Sequence, residues 1–336
     1  MRAFLLFALA TLLAHPAAAK PSAEAKIAAE TVRQDVFPVT TARFPHGVDA
    51  IPQVEVANYD GFRPVRMDIY RPHRSATPRP AVLWIHGGGW SRGDSRTSGA
   101  YADWPKVLAS LAARGFVVAS LNYRLSGEAR LPAQVQDVKA AIRHLRLHAR
   151  DLGVDASRIY LWGGSAGAHL AALAATTCGA TEFAPPPSTG RLERSEIAAL
   201  RRVPAPPAGL DCVQGAALWY GLFDLEASPK VNVAGVLGCA PESCIATARA
   251  ASPLHRVGPD APPMLLIHGD ADRTAPPEQS AAMAEALHAA GVRAELVMIP
   301  GADHGWLGAT PEATRDASLL ALRRTFAFFD SLAAGR

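Results

Sequence analysis

The chain has 336 residues, of which 49% are hydrophobic and 19% charged, an ordinary globular composition with enough apolar material for a large core. Its net charge of +4 is small for that length and no run of five basic residues occurs, which argues against nucleic acid as a partner. No internal repeat or low-complexity tract divides it, which excludes solenoids and linker-joined arrays.

The N-terminus, "MRAFLLFALATLLAHPAAAK", places one arginine before an apolar run too short for a comfortable membrane span. Ala17, Ala18 and Ala19 then supply small residues for cleavage. The pattern predicts a signal peptide over residues 1–19, an N-terminal extension over 20–50, and one domain over 51–336 in a secreted or periplasmic protein. No later segment offers 18 uninterrupted apolar residues, so no membrane span is expected in the mature chain.

Residues 53–72, "QVEVANYDGFRPVRMDIYRP", alternate apolar and polar positions around the turn chemistry of "YDG" and predict an antiparallel hairpin. Apolar strands follow at 80–86, 115–124, 158–165, 213–221, 263–269 and 294–301. Helical patterns separate or follow them, at 134–153, 166–177, 278–291 and 315–332. Near-continuous apolar strands alternating with helices predict an α/β fold, a mostly parallel sheet covered on both faces. Right-handed crossovers bring every strand's C-terminal end to one edge, where open sheets of this kind bind ligands. Two irregular stretches interrupt the pattern, residues 179–211 with one short helical piece and residues 225–262. Each is a candidate lid or binding loop.

The residues just after the strands carry the chemistry. "GGSAG", Gly163 to Gly167, is G-x-S-x-G between a strand and a helix, the setting in which a tight turn exposes a serine hydroxyl, here that of Ser165. A serine needs a base, and "MIPGADHGW" supplies His304 beyond a strand; the base needs an acid, and "LLIHGDADRTAPP" supplies Asp270 and Asp272. Spacing alone does not separate Asp270 from Asp272, and Asp224 in "YGLFDLE" is a third position. Asp303 reads as a turn residue. "HGGGW" leaves backbone N–H groups unshielded by any Cβ, so this glycine stretch, joined by the N–H of Ala166 after the serine, is a candidate source of donors to an oxyanion. Trp90 and Trp306 follow these loops and Tyr123 ends a strand, which makes all three candidate substrate contacts. His86, just before the glycines, reads as structural rather than catalytic, and His169 and His268 as packing or supporting residues. No dinucleotide fingerprint, phosphate loop or H-E-x-x-H zinc motif occurs, so no cofactor is expected. Four cysteines allow three connectivities; Cys239 with Cys244 brackets a tight turn, and Cys178 with Cys212 would close the first insertion at its base. No CxxC pair or ligand-spaced histidine accompanies them, so no metal is expected.

Together, "HGGGW", "NYRLSGEARLPAQVQDVKAAIRHLR", "RIYLWGGSAGAHLAAL", "ASPL", "PPMLLIHGDADRTAPPEQS" and "PGADHGW" resemble, in order, the α/β-hydrolase serine esterases. The resemblance is to the hormone-sensitive-lipase-like group and, more closely, to bacterial feruloyl and acetyl-xylan esterase-like hydrolases. It implies Ser165 as nucleophile, Asp272 as acid, His304 as base and Gly88, Gly89 and Ala166 as oxyanion donors, acting on a small-molecule or carbohydrate ester. Ala168 stands where many relatives carry a second glycine, and the 179–211 insertion is longer than the pattern. Two rivals are an amide-directed hydrolase on the same fold and an inactive hydrolase fold used for binding.

Overall fold

The computed structural model describes residues 41–335 except Arg74, Ala76 and the stretches 189–208, 229–232 and 241–242. The chain divides into Met1–Val39 and Thr40–Arg336, and the described residues all belong to the second unit. The predicted signal peptide lies outside the described residues, as does most of the 179–211 insertion in which a short helical piece is expected.

Nine strands form one sheet in the order β1-β2-β3-β5-β4-β6-β7-β8-β9. They are β1 (Ala42–Phe44), β2 (Val48–Ala57), β3 (Val65–Pro72), β4 (Arg79–Ile85), β5 (Val117–Asn122), β6 (Val154–Gly164), β7 (Ala216–Trp219), β8 (Met264–Gly269) and β9 (Ala294–Ile299). The pairs β1·β2, β2·β3 and β3·β5 are antiparallel, and the rest of the sheet is parallel. The expected hairpin is therefore β2 and β3, but its first strand begins at Val48 and a further edge strand precedes it. The sheet thus takes in residues before 51. Three residues of β1 carry too little periodicity to be read as a strand; pairing with β2 defines them.

The helices are α1 (Trp104–Ala112), α2 (Ala133–Leu147), α3 (Ala149–Leu152), α4 (Ala166–Thr176), α5 (Val233–Leu237), α6 (Ile245–Ala250), α7 (Glu278–Ala289) and α8 (Pro311–Ala333). The helix expected over 134–153 is broken at His148 into α2 and α3. Asp103 caps α1 by accepting from the Lys106 N–H, and Thr310 caps α8 by accepting from the Ala313 N–H. Strand β4 shows how the layers arise. Ala81, Leu83 and Ile85 enter one core with α2 and α4, while Val82 and Trp84 enter the other with α1 and α8. The second core is built around indoles, with Trp84, Trp104, Trp162 and Trp219 in mutual ring contact. Helix α4 is buried from Ala166 to Ala175, as a helix without a polar face must be.

The first insertion is closed at its base by the Cys178–Cys212 disulfide, with Cα atoms 4.7 Å apart. Beside it Lys139, fully buried on α2, pairs with Asp211 at 2.6 Å and donates to the Thr177 carbonyl. Cys239–Cys244 staples the turn before α6. No helix among the described residues is long and apolar enough to cross a membrane.

Candidate active site

Ser165 lies between β6 and α4 with φ 55° and ψ −122°, a backbone conformation costly to a residue with a Cβ. Close packing holds it there. A Cβ on Gly163 would stand 2.3 Å from the Gly167 carbonyl oxygen, and one on Gly167 2.0 Å from that of Ile85. The two glycines let strand, helix and the end of β4 converge, and the Ser165 N–H donates to the Trp219 carbonyl at 2.9 Å. The turn pushes the hydroxyl into a cavity of about 680 Å³ at the C-terminal edge of the sheet.

Ser165 Oγ is 2.9 Å from His304 Nε2, and His304 Nδ1 is 2.7 Å from Asp272 Oδ2. With Asp272 ionised, Nδ1 carries the proton and Nε2 accepts from the serine hydroxyl. Asp272 follows β8 and His304 follows β9, neighbouring parallel strands that bring the two loops together. Burial would raise the Asp272 pKa. Hydrogen bonds from His268 and His304, the charge of His304 and the Ala275 N–H outweigh it and hold the carboxyl well below the usual range. Asp270 faces elsewhere, accepting from the Gly301 N–H at 2.6 Å. Asp224 accepts from the backbone of Glu226 and makes no contact with His304. Asp303 ties the acid and histidine loops, accepting from the backbone N–H groups of Arg273 and His304.

Gly88 and Gly89 line the same cavity with φ of +112° and +58°. A Cβ on Gly88 would meet the Arg92 carbonyl oxygen at 2.1 Å, so this position admits only glycine. Ala166 opens α4, where a first-turn N–H has no intrahelical acceptor. Among the described residues no acceptor engages the N–H groups of Gly88, Gly89 or Ala166. His86 braces this loop. Its ring stacks on Tyr123 at 4.2 Å, its Nδ1 lies 2.7 Å from the Gly87 carbonyl, and burial pushes its pKa down to about 4.

The three aromatic residues expected to touch substrate do not face the cavity. Trp90, Trp306 and Tyr123 are each 0% exposed. The Trp90 N–H donates to His169 Nδ1, Trp306 packs on Trp219 and Tyr220, and the Tyr123 hydroxyl donates to the His86 carbonyl. Positive φ at Trp90 and Trp306 turns both indoles inward, where burying their large apolar rings is favourable. The aromatic wall is instead Tyr220, after β7, with φ 37° and its ring 4.7 Å from that of His304. Its position straight after a strand was the available sign. No residue lining the cavity comes from the described parts of either insertion. His169 instead pins the second insertion to α4 through Ala251, 2.8 Å from its Nε2. Among the described residues one group has donor atoms close enough for a cation: Asp224, Glu226 and His255, all within 4.8 Å of one another and outside the cavity lining.

Residues 67–287 match the BD-FAE family, and residues 240–335 match the prolyl oligopeptidase family. The esterase LipC of Mycobacterium tuberculosis is 33% identical over 71% of this chain, and the chain spans 56% of that protein. A truncated carbohydrate esterase from gut microbiota superposes with a TM-score of 0.69 at 26% identity, covering 89% of this chain and 99% of its own. The propionate-bound esterase Est2 of the planctomycete Thermogutta terrifontis gives 0.64 at 28% identity, covering 83% and 93%. The chain thus spans little more than half the length of the first curated relatives it matches.

Proposed function

The chain belongs to the BD-FAE family of α/β-hydrolases, and from that membership and the site geometry we propose that it hydrolyses carboxylic esters through an acyl-enzyme. The reading rests on the 2.9 and 2.7 Å bonds that link Ser165 and His304, both in the wall of a cavity, to Asp272, beside three uncommitted backbone N–H groups. Ser165 Oγ attacks the ester carbonyl carbon and passes its proton to His304 Nε2. The carbonyl oxygen becomes an oxyanion received by the N–H groups of Gly88, Gly89 and Ala166, each worth on the order of 10²–10³ in rate. Asp272 holds the imidazolium. His304 gives its proton to the departing alcohol, then takes one from water, whose oxygen attacks the acyl carbonyl, and returns that proton to Ser165 Oγ as the acyl bond to the serine breaks.

The preferred substrate is a short acyl ester on a hydroxylated alcohol such as a carbohydrate. Among the described residues no Val, Leu, Ile, Met or Phe lines the cavity; the lining side chains are small or polar, with one tyrosine. An alkyl chain would find no aliphatic side chain there, whereas sugar hydroxyls meet Ser98, Thr97 and Thr274. The similarity to a carbohydrate esterase and to a propionate-bound esterase supports this class. The test is kcat/KM on nitrophenyl acetate, nitrophenyl octanoate, methyl ferulate and acetylated xylan, with Ser165→Ala as blank. Serine-dependent turnover of acetyl or feruloyl esters is expected. Preference for octanoate overturns the substrate class, and no turnover above the blank overturns the esterase reading.

A second reading is amide cleavage, favoured by the match of residues 240–335, which include Asp272 and His304, to the prolyl oligopeptidase family. Peptidyl nitroanilides in the same assay test it. We also propose that the protein works outside the cytoplasm: residues 1–19 read as a signal peptide, and two disulfides suit an oxidising compartment.

A further inference from the structure

The arginines around the cavity are neutralised by carboxylates with one exception. Arg63 pairs with Glu128, Arg66 with Glu55, Arg96 with Asp68 and Arg273 with Asp303. Arg92 lines the cavity itself, and its guanidinium has no ion pair or hydrogen bond among the described residues. Its backbone, in contrast, is firmly held: the Arg92 N–H donates to the Gly88 carbonyl at 3.1 Å. A Cβ on Gly88 would lie 3.1 Å from Arg92 Cγ, so the side-chain stem runs directly against the glycine loop. Among the described residues no aspartate or glutamate lines the cavity, and Arg92 is the one lysine or arginine that does. An unpaired guanidinium in the cavity wall attracts an anion. A guanidinium offers the planar fork that receives a carboxylate through two hydrogen bonds.

We propose that Arg92 determines specificity, and that the preferred ester carries a carboxylate which the Arg92 guanidinium receives while the ester carbonyl faces Ser165. This rests on the esterase reading above. The carboxylate has two sources: the acyl group, as in a dicarboxylic half-ester, or the alcohol, as in an acylated uronic acid.

The experiment measures kcat/KM for two matched pairs of anionic and neutral esters, in wild type, Arg92→Gln and Arg92→Lys. Mono-4-nitrophenyl succinate against 4-nitrophenyl butyrate probes the acyl side. The acetylated methyl glucuronoside against the acetylated methyl glucoside probes the alcohol side. In one pair the wild-type anionic-to-neutral ratio is expected above one, falling about ten-fold in Arg92→Gln, mostly through KM, with part retained in Arg92→Lys. The pair that responds identifies the source. A ratio in both pairs that Arg92→Gln leaves unchanged overturns the proposal. Should that variant not fold, the wild-type ratio decides: a fall with added salt supports a charge contact, and a flat ratio overturns it. Absence of Ser165-dependent turnover on all four esters overturns the esterase reading, and the proposal with it.

Discussion

The Nε2 of His268 lies 3.3 Å from Asp272 Oδ2, the oxygen that also stands 2.7 Å from His304 Nδ1. The other oxygen, Oδ1, accepts from the backbone N–H groups of Thr274 and Ala275 at 2.8 Å each. The His268 ring is itself fixed, with Ser280 Oγ 2.7 Å from Nδ1 and the Ala275 carbonyl 2.9 Å from Nε2. Asp272 is thus a carboxylate held in one rotamer, ionised, with one oxygen aimed at His304.

From that geometry, Asp272→Asn is expected to lower kcat by about 10⁴, because the amide stabilises the wrong tautomer of His304. Asp270→Asn should cost less than about ten-fold, since Asp270 serves the Gly301 turn. Steady-state kinetics of the two variants decide between them. The reverse order would give Asp270 the acid's role.

Ser165→Ala should reduce kcat by a factor on the order of 10⁴–10⁶, and adding His304→Ala should cost little more, because the groups act as a unit. Additive losses in the double variant would show that serine and histidine work independently.

The two loop glycines should separate in their response to alanine. Gly88→Ala places a methyl 2.1 Å from the Arg92 carbonyl oxygen, so the loop must shift and kcat should drop at least about 10²-fold with a lower Tm. Gly89→Ala meets nothing within 4 Å and costs about 1 kcal/mol for its left-handed backbone. Thermal melts and kcat for both variants check this, and equal effects would contradict it.

His86 and His169 are buried, and desolvation pushes both pKa values down from 6.5 to about 4. In the unfolded chain they bind protons at the ordinary value. Between those limits the unfolded state holds more protons, so stability falls as pH drops from about 6.5 toward 4 and is complete above that window. Each contributes at most about 3 kcal/mol. Urea midpoints measured from pH 7.5 to 4.5 should decline across the window; a flat profile would mean that neither ring is protected.

The disulfides should differ in worth because they close loops of different length. The Cys178–Cys212 pair spans 34 residues and the Cys239–Cys244 pair 5. Loop-closure entropy gives about 4 kcal/mol for the first and about 2 kcal/mol for the second. Paired Cys→Ser variants followed by denaturant unfolding test the order, which strain-dominated bridges would reverse.

Local signals carried most of the fold. Continuous apolar strands such as "PAVLWI" report burial on both faces, and small-residue helices such as "AGAHLAALAAT" report close packing, because in both cases the pattern lies within one element. Strand β1 and the break at His148 were not legible, since one depends on a pairing partner and the other on a local bend that periodicity does not register. Ser165 and the glycine loop were readable for the same local reason: strained turns and close approaches demand particular residues within a few positions.

By itself, then, the sequence determined the alternation of strands and helices, the turn that carries Ser165, and the loops that carry His304 and the two candidate acids. Which acid turns to His304 was decided by tertiary structure. Asp270 and Asp272 differ only in which backbone and side-chain donors surround them once β8 and β9 lie side by side. Tertiary packing likewise took Trp90, Trp306 and Tyr123 into the core and left Tyr220 and Arg92 in the cavity wall. The burial of an aromatic ring depends on what the rest of the chain brings against it, and a linear sequence does not record that.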